Sequence, residues 1–169
     1  MGVENLYGAK LDAYFDPTTP PGAKVGSGVM GTAMRIHTDT VEVTANATSG
    51  STYTLARINS SDRIIGGLSK VYFDDLTSSG SITLDIGLYA VNSNITSDPD
   101  ALNDGVNAAS AAGSASVVKD IANYGKRAWE YVSGQTSDPG GQFDVKVSLQ
   151  DVDSKEGGTI TLELVVAQG

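Results

Sequence analysis

The sequence predicts a mainly β protein, an antiparallel sandwich or barrel, and three observations carry that prediction. From Met34 onward, apolar stretches of roughly 6 to 11 residues are separated by Gly, Asn, Asp and Ser turn signals. Several of these stretches alternate apolar and polar residues with a period of two, the pattern of a strand with one buried face. The composition is 40% hydrophobic but only 7% aromatic and 18% charged, so much of the polarity comes from small Ser, Thr, Asn and Gly residues suited to strand faces and turns. A length of 169 residues fits one domain with a tail.

Residues 1–32 read as an extended N-terminal arm, and 33–169 as the folded domain. The arm holds six of the twenty glycines and three of the five prolines, without an apolar period. Pro17, Pro20 and Pro21 favour extended backbone, and Gly22, Gly26, Gly28 and Gly31 prevent a regular element between them. Leu6, Tyr7, Leu11, Tyr14 and Phe15 are apolar anchors that a purely solvated tail rarely carries, which suits an arm that orders on a partner or folds back on its own domain.

In the domain, Met34–Thr44 reads as the first strand, with a phase slip near Asp39–Thr40 that suggests a bulge. A turn over Ala45–Gly50 and a strand over Ser51–Ile58 follow. Arg63–Phe73 reads as two shorter strands bent at Gly66–Gly67. The clearest strand is Ser81–Val91, with Ile82, Leu84, Ile86, Leu88 and Ala90 on one face. Phe143, Val145, Val147 and Leu149 repeat the alternation, as do Ile160, Leu162, Leu164 and Val166; these two segments read as a hairpin closed around Asp151–Gly158. Between them, Asp98–Pro99 suits a helix cap and first position. Val117, Ile121, Tyr124, Ala128 and Tyr131 are spaced for a short helix ending at Gly134, with a strand through Trp129 and Tyr131 as the alternative.

A net charge of −9 and a pI near 4.3 argue against nucleic-acid binding, which needs clustered Lys and Arg. The chain has no cysteine, so disulfides and thiolate metal sites are excluded. MGVENLYGAK lacks the features of a signal peptide and no apolar run approaches a membrane span, so synthesis and retention in the cytosol are expected. The glycosylation-type triplets at Asn46, Asn59 and Asn94 then read as turns.

His37 is the only histidine; it shares a strand face with Asp39, but no serine lies in a nucleophile-elbow context, so an ordinary strand residue is expected. The acids Asp74/Asp75, Asp98/Asp100/Asp104 and Asp151/Asp153/Glu156 sit in turns, and none of the groups completes a calcium loop. Neither cofactor nor metal is expected. Gly26-Ser-Gly28 lacks the strand, helix and Lys of a phosphate loop. Trp129 with Tyr131, or Tyr53, would be the stacking platform of a carbohydrate-binding module; core packing is the alternative.

The runs SKVYFDDLTSSGSITLDIGLY (69–89), KRAWEYVSGQTSDPGGQFDVKVSL (126–149) and GGTITLELVV (157–166), with the opening NLYGAKL, resemble the head decoration (cement) proteins of tailed bacteriophages. The resemblance implies a jelly-roll-like β-sandwich without enzymatic activity. Such a protein assembles as a homotrimer, binds the major capsid protein on the outer surface of the head, and stabilises the shell by bridging neighbouring capsid subunits. The arm anchors would then touch capsid or a neighbouring copy. A head-fibre or tail component and a carbohydrate-binding sandwich are the competing readings.

Overall fold

The computed structural model describes residues 33–77, 80–109 and 111–169. The expected arm and its five anchors lie outside the described residues. Met34–Gly169 forms a compact unit of nine strands: β1 (Met34–Val43), β2 (Thr52–Asn59), β3 (Arg63–Ile64), β4 (Lys70–Phe73), β5 (Thr83–Ala90), β6 (Asp98–Asn107), β7 (Gly113–Ser116), β8 (Gln142–Gln150) and β9 (Gly158–Ala167).

The strands make two antiparallel sheets, one in the order β1-β9-β4-β7 with β3 also on β9, the other in the order β2-β8-β5-β6. The pairings are nested: β1 with β9, β2 with β8, β4 with β7, and β5 with β6. Rolling that nested set so that β4 meets β9 and β5 meets β8 closes the jelly roll. Each sheet turns one face inward. Ile82, Leu84, Ile86 and Leu88 from β5 and its approach, Phe143, Val145, Val147 and Leu149 from β8, and Ile160, Leu162, Leu164 and Val166 from β9 are all fully buried. These are the residues whose period of two predicts the strands, and their burial is the main apolar gain of the fold, about 1.5–3 kcal/mol for each large side chain.

The bend at Gly66–Gly67 is a 3-10 turn, Gly66–Leu68, between β3 and β4. Buried Ser69 ties this bend to β9: its Oγ accepts from the Val165 N–H at 3.0 Å and lies 3.0 Å from the Ile65 carbonyl oxygen. On the other sheet, β6 carries two register shifts against β5, one at Gly105, whose φ is +83°. The second shift carries the Pro99 backbone over Gly87, where a side chain would stand 2.1 Å from the Pro99 carbonyl oxygen.

Four expectations are corrected. β8 and β9 are not a hairpin: they lie in opposite sheets, each already flanked on both sides, and 151–157 crosses between the layers. β1 has no bulge at Asp39–Thr40; it pairs residue for residue with β9, and the apparent phase slip arises because Met34 and Ile36 face outward while Val41 and Val43 face the core. Asp98–Pro99 opens β6 rather than a helix, Asp98 standing opposite Leu88. The expected short helix resolves into two 3-10 turns, Ile121–Asn123 and Ala128–Tyr131, separated by Gly125 at φ +78°. In the second turn the Ala128 and Trp129 N–H groups donate to the carbonyls of Asp62 and Ser60, at 2.8 and 3.2 Å. Docking onto the Asn59–Asp62 turn thus takes up donors in a segment where Gly125 interrupts the helical run.

Candidate interaction surface

Among the described residues, His37 and Asp39 are not brought together. Asp39 Oδ1 accepts from the Thr40 N–H at 2.8 Å, and His37 Nε2 is buried without a partner among the described residues, so the two form no dyad. The clustered acids hold backbone: Asp98 at the start of β6 accepts from the Ser133 N–H, Asp153 from that of Ser49 and Asp74 from that of Thr159. The last contact, with both the N–H and the hydroxyl of Thr159, holds the Asp74 carboxyl below its ordinary pKa. Asp98 and Asp100 face each other; their side-chain hydrogen bond, with some burial, raises the Asp100 pKa. Asp100 also lines a cleft of 220 Å³ with Leu102, Asn103, Asp104, Lys119 and Asp120, smaller than the 300–1,000 Å³ of typical ligand pockets. Burial pushes the nearby Asp85 carboxyl up as well, against one hydrogen bond from the Gly105 N–H.

Trp129, Tyr131 and Tyr53 do not form the expected sugar platform. Tyr131 is buried, with its hydroxyl donating to the Asn123 carbonyl at 2.6 Å, and Trp129 and Tyr53 pack against the core.

The outer faces of the two sheets differ sharply. On the β2-β8-β5-β6 sheet, the residues alternating with the core positions are Thr52, Thr54 and Arg57, then Thr83, Asp85 and Tyr89, then Asp144, Lys146 and Gln150. This face is polar and tied laterally. Arg57 grips Asp144 through two hydrogen bonds of 2.7 and 3.2 Å, and Lys146 lies 4.9 Å from the centre of the Tyr89 ring.

The outer face of the β1-β9-β4-β7 sheet gathers exposed apolar side chains. Met34 and Ile36 on β1 are 61% and 64% exposed, Leu68 is 55% exposed, and Tyr72 on β4 is 44% exposed. Ile36 stands opposite Val165 and Met34 opposite Ala167, both nearly buried, so β9 is the floor of the patch. Tyr124 extends it by lying over Gly66 and Gly67, with its hydroxyl 3.1 Å from Ser116 Oγ, and exposed Ile121 follows. Arg63, opposite Ala167, and Lys70, opposite Glu163, belong to this face. Neither is in an ion pair; the ion pairs among the described residues are Arg35–Asp62 and Arg57–Asp144. Solvent-facing apolar groups gathered on one face mark an interaction surface. The sequence does not single these residues out, because Met34 and Ile36 alternate with Arg35 and His37 as a core-facing pair would.

One end of the patch is fixed by a buried carboxylate. Asp62 is fully buried; its Oδ2 accepts from Arg35 Nη2 at 2.7 Å and from the Asn59 N–H at 2.9 Å, and its Oδ1 has no partner among the described residues. Asp62 thereby pins the first residues of β1 to the turn before β3.

No protein-family model matches the chain, and no curated protein matches it. Solved structures do. The chain is similar to one in the cyanophage Pam1 capsid asymmetric unit, at 14% identity and a TM-score of 0.58, over 90% of this chain and 99% of that one. It is also similar to one in the capsid of Ralstonia phage GP4, at 16% identity and a TM-score of 0.54, over 93% and 94% of the two chains. At these identities the likeness is one of fold, and that fold is the two-sheet β-sandwich described above.

Proposed function

We propose that this chain is a non-enzymatic structural protein of a tailed-phage head, a decoration protein that binds the outer capsid surface and bridges neighbouring capsid subunits. The observation that carries the reading is the fold match to chains within two phage capsids, over 90% and 93% of this chain. The one-sided outer surface supports it, since a protein seated on a shell needs one face for contact and one for solvent. In this reading the protein acts as a homotrimer, its partner is the major capsid protein, and residues 1–32 are an arm whose Leu6, Tyr7, Leu11, Tyr14 and Phe15 anchor it to capsid or to a neighbouring copy. Many copies, each bridging two subunits, add up to substantial strengthening of a pressurised shell.

Quantitative mass spectrometry of purified particles tests the proposal. Hundreds of copies in fixed ratio to the major capsid protein are expected. A handful of copies would indicate a fibre or tail component, and absence from particles would overturn the virion role.

A further inference from the structure

The two sheets end in four edge strands, β1, β7, β2 and β6. An edge with unpaired backbone groups is a template for another strand unless something blunts it. Three of the four are blunted. β7 has four residues and begins at Gly113; β2 is bulged between Thr54 and Ala56; β6 carries Pro99, Gly105 at φ +83° and two register shifts. By contrast, β1 has ten residues without Pro, Gly or bulge and pairs residue for residue with β9.

The backbone groups at the free edge of β1 follow from the geometry of β9. The Val165 N–H donates to Ser69 Oγ at 3.0 Å, and its carbonyl accepts from the Ile65 N–H at 2.9 Å. Thr159 likewise donates to the Asp74 carboxylate at 2.8 Å and accepts from the Asp74 N–H at 3.0 Å. Both residues turn their main-chain groups away from β1. Their partners there are Ile36 and Glu42, so by alternation Met34, Ile36, Thr38, Thr40 and Glu42 present N–H and C=O to the free edge. One of these donors is taken, since the Thr40 N–H is held by Asp39 Oδ1 at 2.8 Å. The open row is therefore Met34–Thr38, and among the described residues no strand pairs with it.

The side chains of this row select a second copy as its occupant. An antiparallel pair centred on Ile36 aligns Met34, Ile36 and Thr38 with Thr38, Ile36 and Met34 of the other copy, and each of these pairs exchanges both N–H···O bonds. Ile36 then meets its own copy with Met34 diagonal on either side, which gathers the exposed Met34 and Ile36 of both chains into one cluster. On the opposite side of the strand Arg35, its charge offset by Asp62, faces His37 of the other copy. Centring on Thr38 instead would set Met34 against Glu42 and require the Thr40 N–H to leave Asp39.

We infer that two copies of this chain join edge to edge through Met34–Thr38 of β1, antiparallel about a two-fold axis at Ile36, so that their five-stranded sheets become continuous. Five residues a side make a small contact, of the class below about 1,200 Å² whose association is transient and grows with concentration. The inference is independent of the virion role; under that role the two-fold links copies that belong to different trimers.

The chain has no cysteine, so Ile36→Cys, Thr40→Cys and Thr54→Cys each give a single thiol in the full-length protein. Residues opposite each other in a hydrogen-bonded pair stand about 5.5 Å apart at Cα, within disulfide reach. Under mild oxidation the Ile36→Cys protein should form a disulfide-linked dimer about tenfold faster than either control. Adding Thr38→Pro, which removes one edge N–H and spares the bonds to β9, should return it to the control rate. Hydrogen exchange on the unsubstituted chain gives a second reading: the Ile36 and Thr38 amides should exchange more slowly in concentrated than in dilute solution, with the Glu42 amide unchanged. Equal crosslinking at the three positions, or Ile36 and Thr38 amides indifferent to concentration, would overturn the inference. Particle composition decides the virion role separately.

Discussion

Gly87 offers a test in which the sign of the effect is diagnostic. Glycine inside a strand ordinarily weakens it, and replacing it with alanine in extended backbone stabilises a protein by about 0.4–1 kcal/mol. At Gly87 the new methyl group would stand 2.1 Å from the Pro99 carbonyl oxygen and 2.2 Å from its carbon. Restoring an ordinary 3.4 Å contact requires the start of β6 to retreat by about 1.3 Å. That retreat strains the Leu88–Asp98 pairing and loosens buried Leu102. Overpacking of this kind costs about 1–3 kcal/mol, so Gly87→Ala is expected to lower stability by that amount and the melting temperature by roughly 3–10 °C. Urea unfolding followed by tryptophan fluorescence reads it through Trp129, with Thr54→Ala on the outer face of β2 as a control. A Gly87→Ala protein as stable as the parent, or more so, would refute the close approach of β6 to β5 and the double register shift that produces it.

Other perturbations address separate parts of the molecule. Asp62→Ala leaves the Asn59 N–H and Arg35 without their acceptor at the base of β1; a loss of about 2–4 kcal/mol is expected in chemical denaturation, and a loss below 0.5 kcal/mol would show that the buried carboxylate holds nothing. Ser69→Ala removes the side chain joining the Gly66–Leu68 bend to β9 and should cost about 1–3 kcal/mol, with faster hydrogen exchange at Val165 as the local sign. Because Asp98 raises the Asp100 pKa, the native state binds the Asp100 proton more tightly than the unfolded chain does. Stability owed to this group is therefore present at low pH and lost as pH rises through its folded pKa. Asp100→Asn should be more stable than the parent at pH 7, with the advantage shrinking as the pH falls through the carboxylate range; an advantage that grows in acid would reverse the assignment.

The core was legible in the sequence because its signal is local. Ile82 to Leu88, Phe143 to Leu149 and Ile160 to Val166 alternate without interruption, and burial follows the alternation residue by residue. Which strand pairs with which is a non-local property. Phe143–Leu149 and Ile160–Val166 are consecutive and both apolar-alternating, so they resemble a hairpin, yet Val145 is opposite Ala56 and Leu88 in one sheet, and Leu162 opposite Asp39 and Val71 in the other. The region 117–131 misled for a related reason: its helical spacing is real, but Gly125 and the backbone acceptors of Ser60 and Asp62 favour short turns docked on a neighbouring loop. The interaction face was illegible because strand alternation does not say which of two faces meets solvent. Ile36 and Ile86 carry the same side chain on alternating strands; one is 64% exposed and the other fully buried.

The central position of β9 governs how the domain comes into being. Three strands, β1, β3 and β4, take their backbone partners from it, and it follows all of them in the chain. Without β9 neither half of the five-stranded sheet has its neighbour, and Val43, Ile64, Val71 and Phe73 have no layer to close upon. Folding of this sheet is therefore governed by contacts between distant parts of the chain and correspondingly slow. The outer face of that sheet, assembled from β1, β3, β4 and β9 together, is then absent from any chain cut short before β9.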